Sequence, residues 1–230
     1  MIINGLMKMT LLDFPGRVAC TVFTPGCNMR CPFCHNAALV TEIDPADRIE
    51  VGEVMRFLEK RVGLLDGVAI TGGEPLLQPD LADFIREVRA LGYAVKLDTN
   101  GSFPDKLEAL VSDGLVDYVA MDIKNSPALY ARTVGVDDFD IAPVERSKDF
   151  LLSGAVDYEF RTTVVAQFHT VESIAGAAEW IAGAKRYFLQ QFTDSGNLIA
   201  DGLTAVNKDI MEEMRAAARA FVPATELRGL

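Results

Sequence analysis

Six short apolar runs, each closed by turn-forming residues and each followed by a stretch of helical periodicity, organise this chain of 230 residues. The runs cover residues 18–24, 67–71, 94–99, 118–123, 158–165 and 186–192. Helical patterns occupy residues 50–60, 79–91, 106–111, 144–152, 171–181 and 208–221. The clearest is 79–91, where Pro79 suits the first helical position and Gly92 the C-terminal stop. Leu81, Phe84, Ile85, Val88 and Leu91 then share one face. Strand and helix in strict alternation predict a parallel sheet with helices outside it. About six such units are too few to close the eight-stranded β/α barrel. The expected fold is therefore α/β, a partial (open) β/α barrel of about six parallel strands with outer helices. No repeat, linker or low-complexity tract divides the sequence, so one domain over residues 1–230 is expected.

In β/α folds the chemistry sits at the carboxyl ends of the strands, and the unusual residues here follow the predicted strands. The first strand runs into Cys27-Asn28-Met29-Arg30-Cys31-Pro32-Phe33-Cys34-His35-Asn36. Three of the four cysteines lie within this loop, unlike the dispersed pattern of a secreted disulfide framework. Three thiolates from one loop can bind three irons of a cubane cluster and leave the fourth open to an outside ligand. Ordinary cluster sites supply four cysteines. A redox-active iron–sulfur cluster on Cys27, Cys31 and Cys34 is the expectation. The competing reading is a structural zinc site, which wants four closed ligands. Cys20 is the only further cysteine, and its mid-strand position reads as a small core residue. His35 adjoins Cys34, an awkward spacing for ligation of one ion.

After the second strand comes Thr71-Gly72-Gly73-Glu74-Pro75. Two glycines let a ligand approach the backbone, and Glu74 offers an acceptor to a cation. Taken alone, the same string also describes a plain turn before a helix. The third strand ends at Asp98-Thr99 and the fourth at Asp122-Ile123-Lys124. Neighbouring carboxylates at Asp98 and Asp122, with Lys124 beside them, suit a charged ligand or a bound cation that relieves their repulsion. The plainer alternative is turn-forming side chains at strand ends. Arg161 on the fifth strand reads either as a ligand contact or as a solvated arginine. His169, before a helix, reads as structural or exposed. No Ser/His/Asp arrangement is suggested, so hydrolase chemistry has no support.

The string CNMRCPFCHN, followed one strand later by ITGGEP, resembles the radical S-adenosylmethionine (SAM) superfamily. Within it the chain is similar to glycyl-radical-enzyme activating proteins, most of all the group acting on anaerobic ribonucleoside-triphosphate reductase, and it is also similar to pyruvate formate-lyase activating enzymes. The similarity runs over most of the chain and is strongest over residues 11–124. It implies a 4Fe–4S cluster on Cys27, Cys31 and Cys34, at which SAM is reductively cleaved, and a glycyl radical raised on a large partner enzyme. It implies that Gly72, Gly73, Glu74 and Pro75 meet the methionyl amino group of SAM. Phe33, His35 and Asn36 become cofactor contacts, with His35 near the adenine. Asp98, Thr99, Asp122 and Lys124 are implied in cofactor contacts and a monovalent-cation site, and Arg161 in a further cofactor contact. The resemblance also implies flavodoxin or ferredoxin as reductant and anaerobic ribonucleotide reductase as the partner. A small-molecule substrate is the alternative. One departure stands out: residues 188–192 lack the histidine that such relatives carry there, leaving Gln190 or Gln191 in its place.

Lys plus Arg number 22 against 33 Asp plus Glu, a net charge of -11, which disfavours nucleic acid as partner. No apolar stretch reaches the roughly 18 residues of a membrane helix, and residues 1–13 do not read as a signal peptide. A cytoplasmic protein without a membrane partner is expected.

Overall fold

The computed structural model describes residues 1–230. Eight strands form one sheet in chain order: β1 (Gly5–Thr10), β2 (Ala19–Thr24), β3 (Gly67–Gly72), β4 (Ala94–Thr99), β5 (Tyr118–Asp122), β6 (Asp157–Val164), β7 (Tyr187–Gln191) and β8 (Thr225–Arg228). From β2 to β8 every pairing is parallel, while β1 runs antiparallel to β2. β1 and β8 are the two ends of the sheet, so the barrel is open. The six expected strands are β2 to β7, displaced by at most one residue at their ends. The two edge strands were not foreseen. The sequence of β1, GLMKMT, has neither alternation nor β-branching until its last residue, and TELR in β8 is short and half charged.

The helices are α1 (Val51–Glu59), α2 (Leu81–Ala90), α3 (Pro104–Ser112), α4 (Tyr130–Val134), α5 (Ala142–Leu152), α6 (Val171–Trp180) and α7 (Lys208–Arg219). α2 buries Leu81, Phe84, Ile85 and Val88, the face expected of it. Its start falls at Leu81 with Asp80 as N-cap, two residues beyond Pro79, which belongs to the preceding turn. The short α4 was not anticipated, because Tyr130–Val134 is too brief to show a period.

Register decides which side chains enter the barrel. Ala69 of β3 pairs with Lys96 of β4, Lys96 with Tyr118 of β5, and Asp98 with Ala120, which pairs in turn with Glu159 of β6. Paired residues share a face, so small Ala69 and Ala120 leave interior room for the long polar chains of Lys96 and Glu159. Both chains are about 1 % exposed. The alternate residues Val22, Ile70, Leu97, Val119 and Tyr158 face the helices and are buried in a continuous apolar core. Low in the barrel, Glu159 accepts two hydrogen bonds from Arg228, at 2.9 and 3.1 Å, and one from the Tyr118 hydroxyl at 3.0 Å. That cluster ties β5, β6 and β8 together beneath the functional end.

Candidate active site

The loop after β2 and the loop after β3 are built as a clasp. Gly73 N–H donates to Thr24 O at 2.8 Å, and Glu74 N–H donates to Gly26 O at 2.7 Å. A Cβ on Gly73 would lie 2.0 Å from Gly26 O, and one on Gly72 2.2 Å from Thr24 O. The glycine pair is therefore needed for backbone to meet backbone, whatever ligand also approaches. Asn36 closes the clasp from the far end of the cysteine loop, its Nδ2 donating to Gly72 O at 2.8 Å. α4 braces the same loop: Arg30 N–H donates to Val134 O at 2.8 Å, a C-terminal carbonyl of that helix.

This loop carries Cys27, Cys31 and Cys34 to a cavity of about 210 Å³ at the carboxyl end of the barrel. Phe33, His35 and Asn36 of the same loop line it, and so do Gly72 and Gly73. The opposite wall is Asp98, Thr99, Asp122, Lys124 and Arg161. Thirteen of the fifteen site residues expected from sequence thus meet in one cavity, and two do not. Glu74 is fully buried beside it, and Pro75 opens the short turn that follows. The Glu74 carboxylate accepts from Leu76 N–H (3.1 Å), Thr99 Oγ1 (2.9 Å) and Asn100 N–H (2.7 Å). Burial raises its pKa to about 7, against the pull of these donors.

Charge on the far wall alternates. Arg161 bridges both aspartates, with Nη1 to Asp98 Oδ2 at 3.1 Å and Nε to Asp122 Oδ1 at 2.9 Å. Lys124 Nζ reaches Asp122 Oδ2 at 2.9 Å, and Lys96 pairs with Asp98 from below. Burial opposes the charged form of Asp98, but Arg161 and Lys96 overcome it and hold the acid below the ordinary carboxylate range. Asp122 is likewise held well below that range, by Arg161 and Lys124 against the same burial. The repulsion that prompted the expectation of an extra cation is thus met by the chain's own Lys96, Arg161 and Lys124. Lys96 is buried beneath the wall, whose own lining sets two cations against two carboxylates. Arg161 is not a solvated arginine, since its side chain is only 15 % exposed.

Sequence reading passed over Lys96, Asn100, Met29 and Thr163. Asn100 and Gln190 line the cavity with Met29 and Thr163, whereas Gln191 turns to Val206 O at 2.7 Å. His35 sets its ring edge-on to Phe192, 5.6 Å between centroids. His169 is buried and structural. Val165 N–H donates to its Nδ1 at 3.0 Å, so the proton sits on Nε2 and is donated to Lys124 O at 2.8 Å. That bond fixes the end of β5 from which Lys124 projects.

Cys20 lies on the helix-facing side of β2, fully buried, its thiol pushed up to about 12 by desolvation. It does not line the cavity. No three His, Cys, Asp or Glu side chains converge as a single metal ion would require, where zinc holds thiolates at about 2.3 Å. The arrangement disfavours the zinc reading.

A family model described as the radical SAM superfamily matches residues 21–142, over half of the chain. The chain belongs to the radical SAM superfamily. That match spans the cysteine loop, the Gly72–Gly73 turn, Asp98 and Lys124. A protein of Methanocaldococcus jannaschii, provisionally named a glycyl-radical enzyme activating enzyme, is 31% identical over 195 residues, covering 83% of this chain and 80% of its own. The 7-carboxy-7-deazaguanine synthase of Methanopyrus kandleri is 33% identical over 145 residues, 55% of each chain. The pyruvate formate-lyase-activating enzyme of Listeria monocytogenes is 31% identical over 133 residues, 53% of this chain and 52% of its own. The radical SAM chain therefore spans about half the length of the latter two. Among solved structures, Streptococcus suis SuiB bound to S-adenosylmethionine superposes with a TM-score of 0.69 at 13% identity, covering 91% of this chain and 52% of SuiB. That likeness is one of fold. Radical SAM enzymes use a 4Fe–4S cluster and SAM. The donor set here fits such a pair: three thiols from one loop, not gathered about a single ion, beside glycine backbone and a wall of paired aspartate, lysine and arginine side chains. No helix is long and apolar enough to cross a membrane.

Proposed function

We propose that this radical SAM enzyme activates a glycyl-radical enzyme, its substrate being a glycine Cα–H in a protein loop. The observation that carries the reading is the meeting of Cys27, Cys31 and Cys34 with the Asp98–Arg161–Asp122–Lys124 wall around one cavity. The protein relative matched over four fifths of its length supports an activase. When bound, the cluster supplies the electron that breaks a carbon–sulfur bond of SAM, releasing methionine and the 5′-deoxyadenosyl radical.

In this reading Cys27, Cys31 and Cys34 hold the cluster, with the thiolates as ligands. The backbone of Gly72 and Gly73 faces the methionyl end of SAM. Glu74 and Pro75 act indirectly: the buried carboxylate ties the turns after β3 and β4 together through Thr99 and Asn100. Lys124 and Arg161, each paired with an aspartate, would be the cationic groups open to the SAM carboxylate. Phe33, His35, Asn36, Asp98, Thr99 and Asp122 complete the walls of the SAM site. Phe33 packs its ring on Phe168, 5.6 Å between centroids, and so helps keep water from the cavity. The partner assigned from sequence resemblance is anaerobic ribonucleotide reductase, with flavodoxin or ferredoxin as electron donor. The protein acts as one domain over residues 1–230, in the cytoplasm.

A second reading has the same site act on a small molecule, and the relative named 7-carboxy-7-deazaguanine synthase favours it. One experiment separates the two. The protein is reconstituted anaerobically with iron and sulfide, reduced, and given SAM with a candidate partner enzyme. Activase function predicts 5′-deoxyadenosine together with a glycyl radical signal by EPR, both absent in Cys27→Ala, Cys31→Ala and Cys34→Ala. 5′-Deoxyadenosine formed only when a metabolite is added, with no protein radical on any partner, would establish the second reading.

A further inference from the structure

The side chain of Asn100 is used by three partners, and one of them is a cysteine sulfur. Its Nδ2 lies 3.7 Å from Cys27 Sγ and 2.9 Å from Asn28 Oδ1, while its Oδ1 accepts from Ser102 N–H at 2.9 Å. The last contact fixes the amide orientation. A backbone N–H only donates, so the atom facing Ser102 is the oxygen and the atom facing Cys27 is the NH₂. The Asx turn formed with Ser102 leads the chain through Gly101 at φ +79°, where a Cβ would collide with the Met121 side chain. Asn100 N–H is meanwhile anchored on the buried Glu74 carboxylate at 2.7 Å. Asn100 is itself 5 % exposed, so its amide is held on all sides. A second N–H, from Met29, reaches the same sulfur at 3.4 Å. That bond is local to the cysteine loop, whereas the one from Asn100 crosses from β4.

We infer that Asn100 is a positioning residue that sets the reduction potential of the cluster, by donating a hydrogen bond from β4 to the Cys27 thiolate. The inference rests on the cluster reading given above. Hydrogen bonds to ligating sulfurs withdraw electron density from the thiolate and favour the reduced, more negative cluster, raising its potential. Cys31 receives no comparable bond from another strand, so the three ligands are electronically unequal. The potential is then linked through Asn100 N–H and Glu74 to the loop after β3, which the proposed function places at the methionyl end of SAM.

The test is a redox titration of the reconstituted cluster, followed by EPR of its reduced form, in the full chain and two variants. Asn100→Ser retains an oxygen that accepts from Ser102 N–H, as an ST turn does, but is too short to reach Cys27. Asn100→Asp keeps the shape and replaces the donor with a carboxylate. Both are expected to titrate at more negative potential than the wild type, Asn100→Asp by the larger shift. Asn100→Ser titrating with the wild type at full iron content would overturn the inference, and a shift in Asn100→Asp alone would reduce it to a charge effect and overturn it equally. If Asn100→Ser takes up no iron while its circular dichroism is native, Asn100 is an assembly residue and the tuning role is wrong. Wild-type protein that binds no cluster at all would defeat the underlying reading instead, an outcome distinguishable from the others.

Discussion

At Gly73 an added Cβ would stand 2.0 Å from a backbone oxygen, Gly26 O, so no side-chain rotation can relieve the contact. Gly73→Ala must part the two loops that form the clasp. Iron content after reconstitution should fall several-fold, measured against circular dichroism to show that the barrel persists. Arg161 gives a second prediction at this scale. Its guanidinium serves two aspartates through different nitrogens, a geometry that an ammonium cannot copy. Arg161→Ala leaves two partly buried carboxylates short of a partner and should cost about 3 kcal/mol in urea denaturation. Arg161→Lys should cost less, about 1–2 kcal/mol, since one contact survives. The cysteines and the glycine pair stood out by their spacing after recognisable strands and the two aspartates by their places at strand ends, whereas Arg161 was singled out through the family resemblance. Lys96 and Asn100 were not. Lys96 enters the barrel only because its register neighbour Ala69 is small, and Asn100 finds Cys27 across a sequence separation of 73 residues.

Among the elements, the strands buried on both faces announced themselves as apolar runs, as parallel strands do. The edge strands, with half their surface free, did not. Across β4, β5 and β6 the charged row Lys96, Asp98, Arg161, Asp122 and Lys124 joins three strand ends into one electrostatic unit. Its pH dependence follows from sign. Asp98 and Asp122 are held below their ordinary value of 3.8 in the folded chain. The unfolded state then binds protons first, so the row contributes fully above that value and its contribution is lost as pH falls beneath it. Denaturation midpoints measured between pH 5 and pH 2 should drop more steeply in the wild type than in Asp122→Asn, the difference opening below about pH 4. α6 offers a control that touches none of the cluster cysteines, although it begins next to His169. Thr170 and Ser173 form a reciprocal capping box at its start, and Thr170→Ala should cost about 1 kcal/mol without changing iron content.

The whole molecule is a barrel whose interior carries buried charge at two levels, Glu159 with Arg228 below and the Asp98–Arg161–Asp122 row above, which makes its stability depend on pairing. Glu159, 1 % exposed, has Arg228 on the last strand as its cationic partner. Arg228→Ala would leave that carboxylate uncompensated and should cost about 3 kcal/mol, lowering Tm by roughly 6–12 °C for a chain of this size. Deletion of residues 228–230 should behave alike in the same melting experiment. The clasp between the cysteine loop and the Gly72–Gly73 turn has a consequence of another kind. Two segments 47 residues apart in the chain (Gly26 and Gly73) fit only each other, backbone against backbone. Anyone transplanting the CNMRCPFC segment onto a foreign β/α scaffold would have to carry its glycine counterpart along, because half of the binding surface is written in the neighbouring strand.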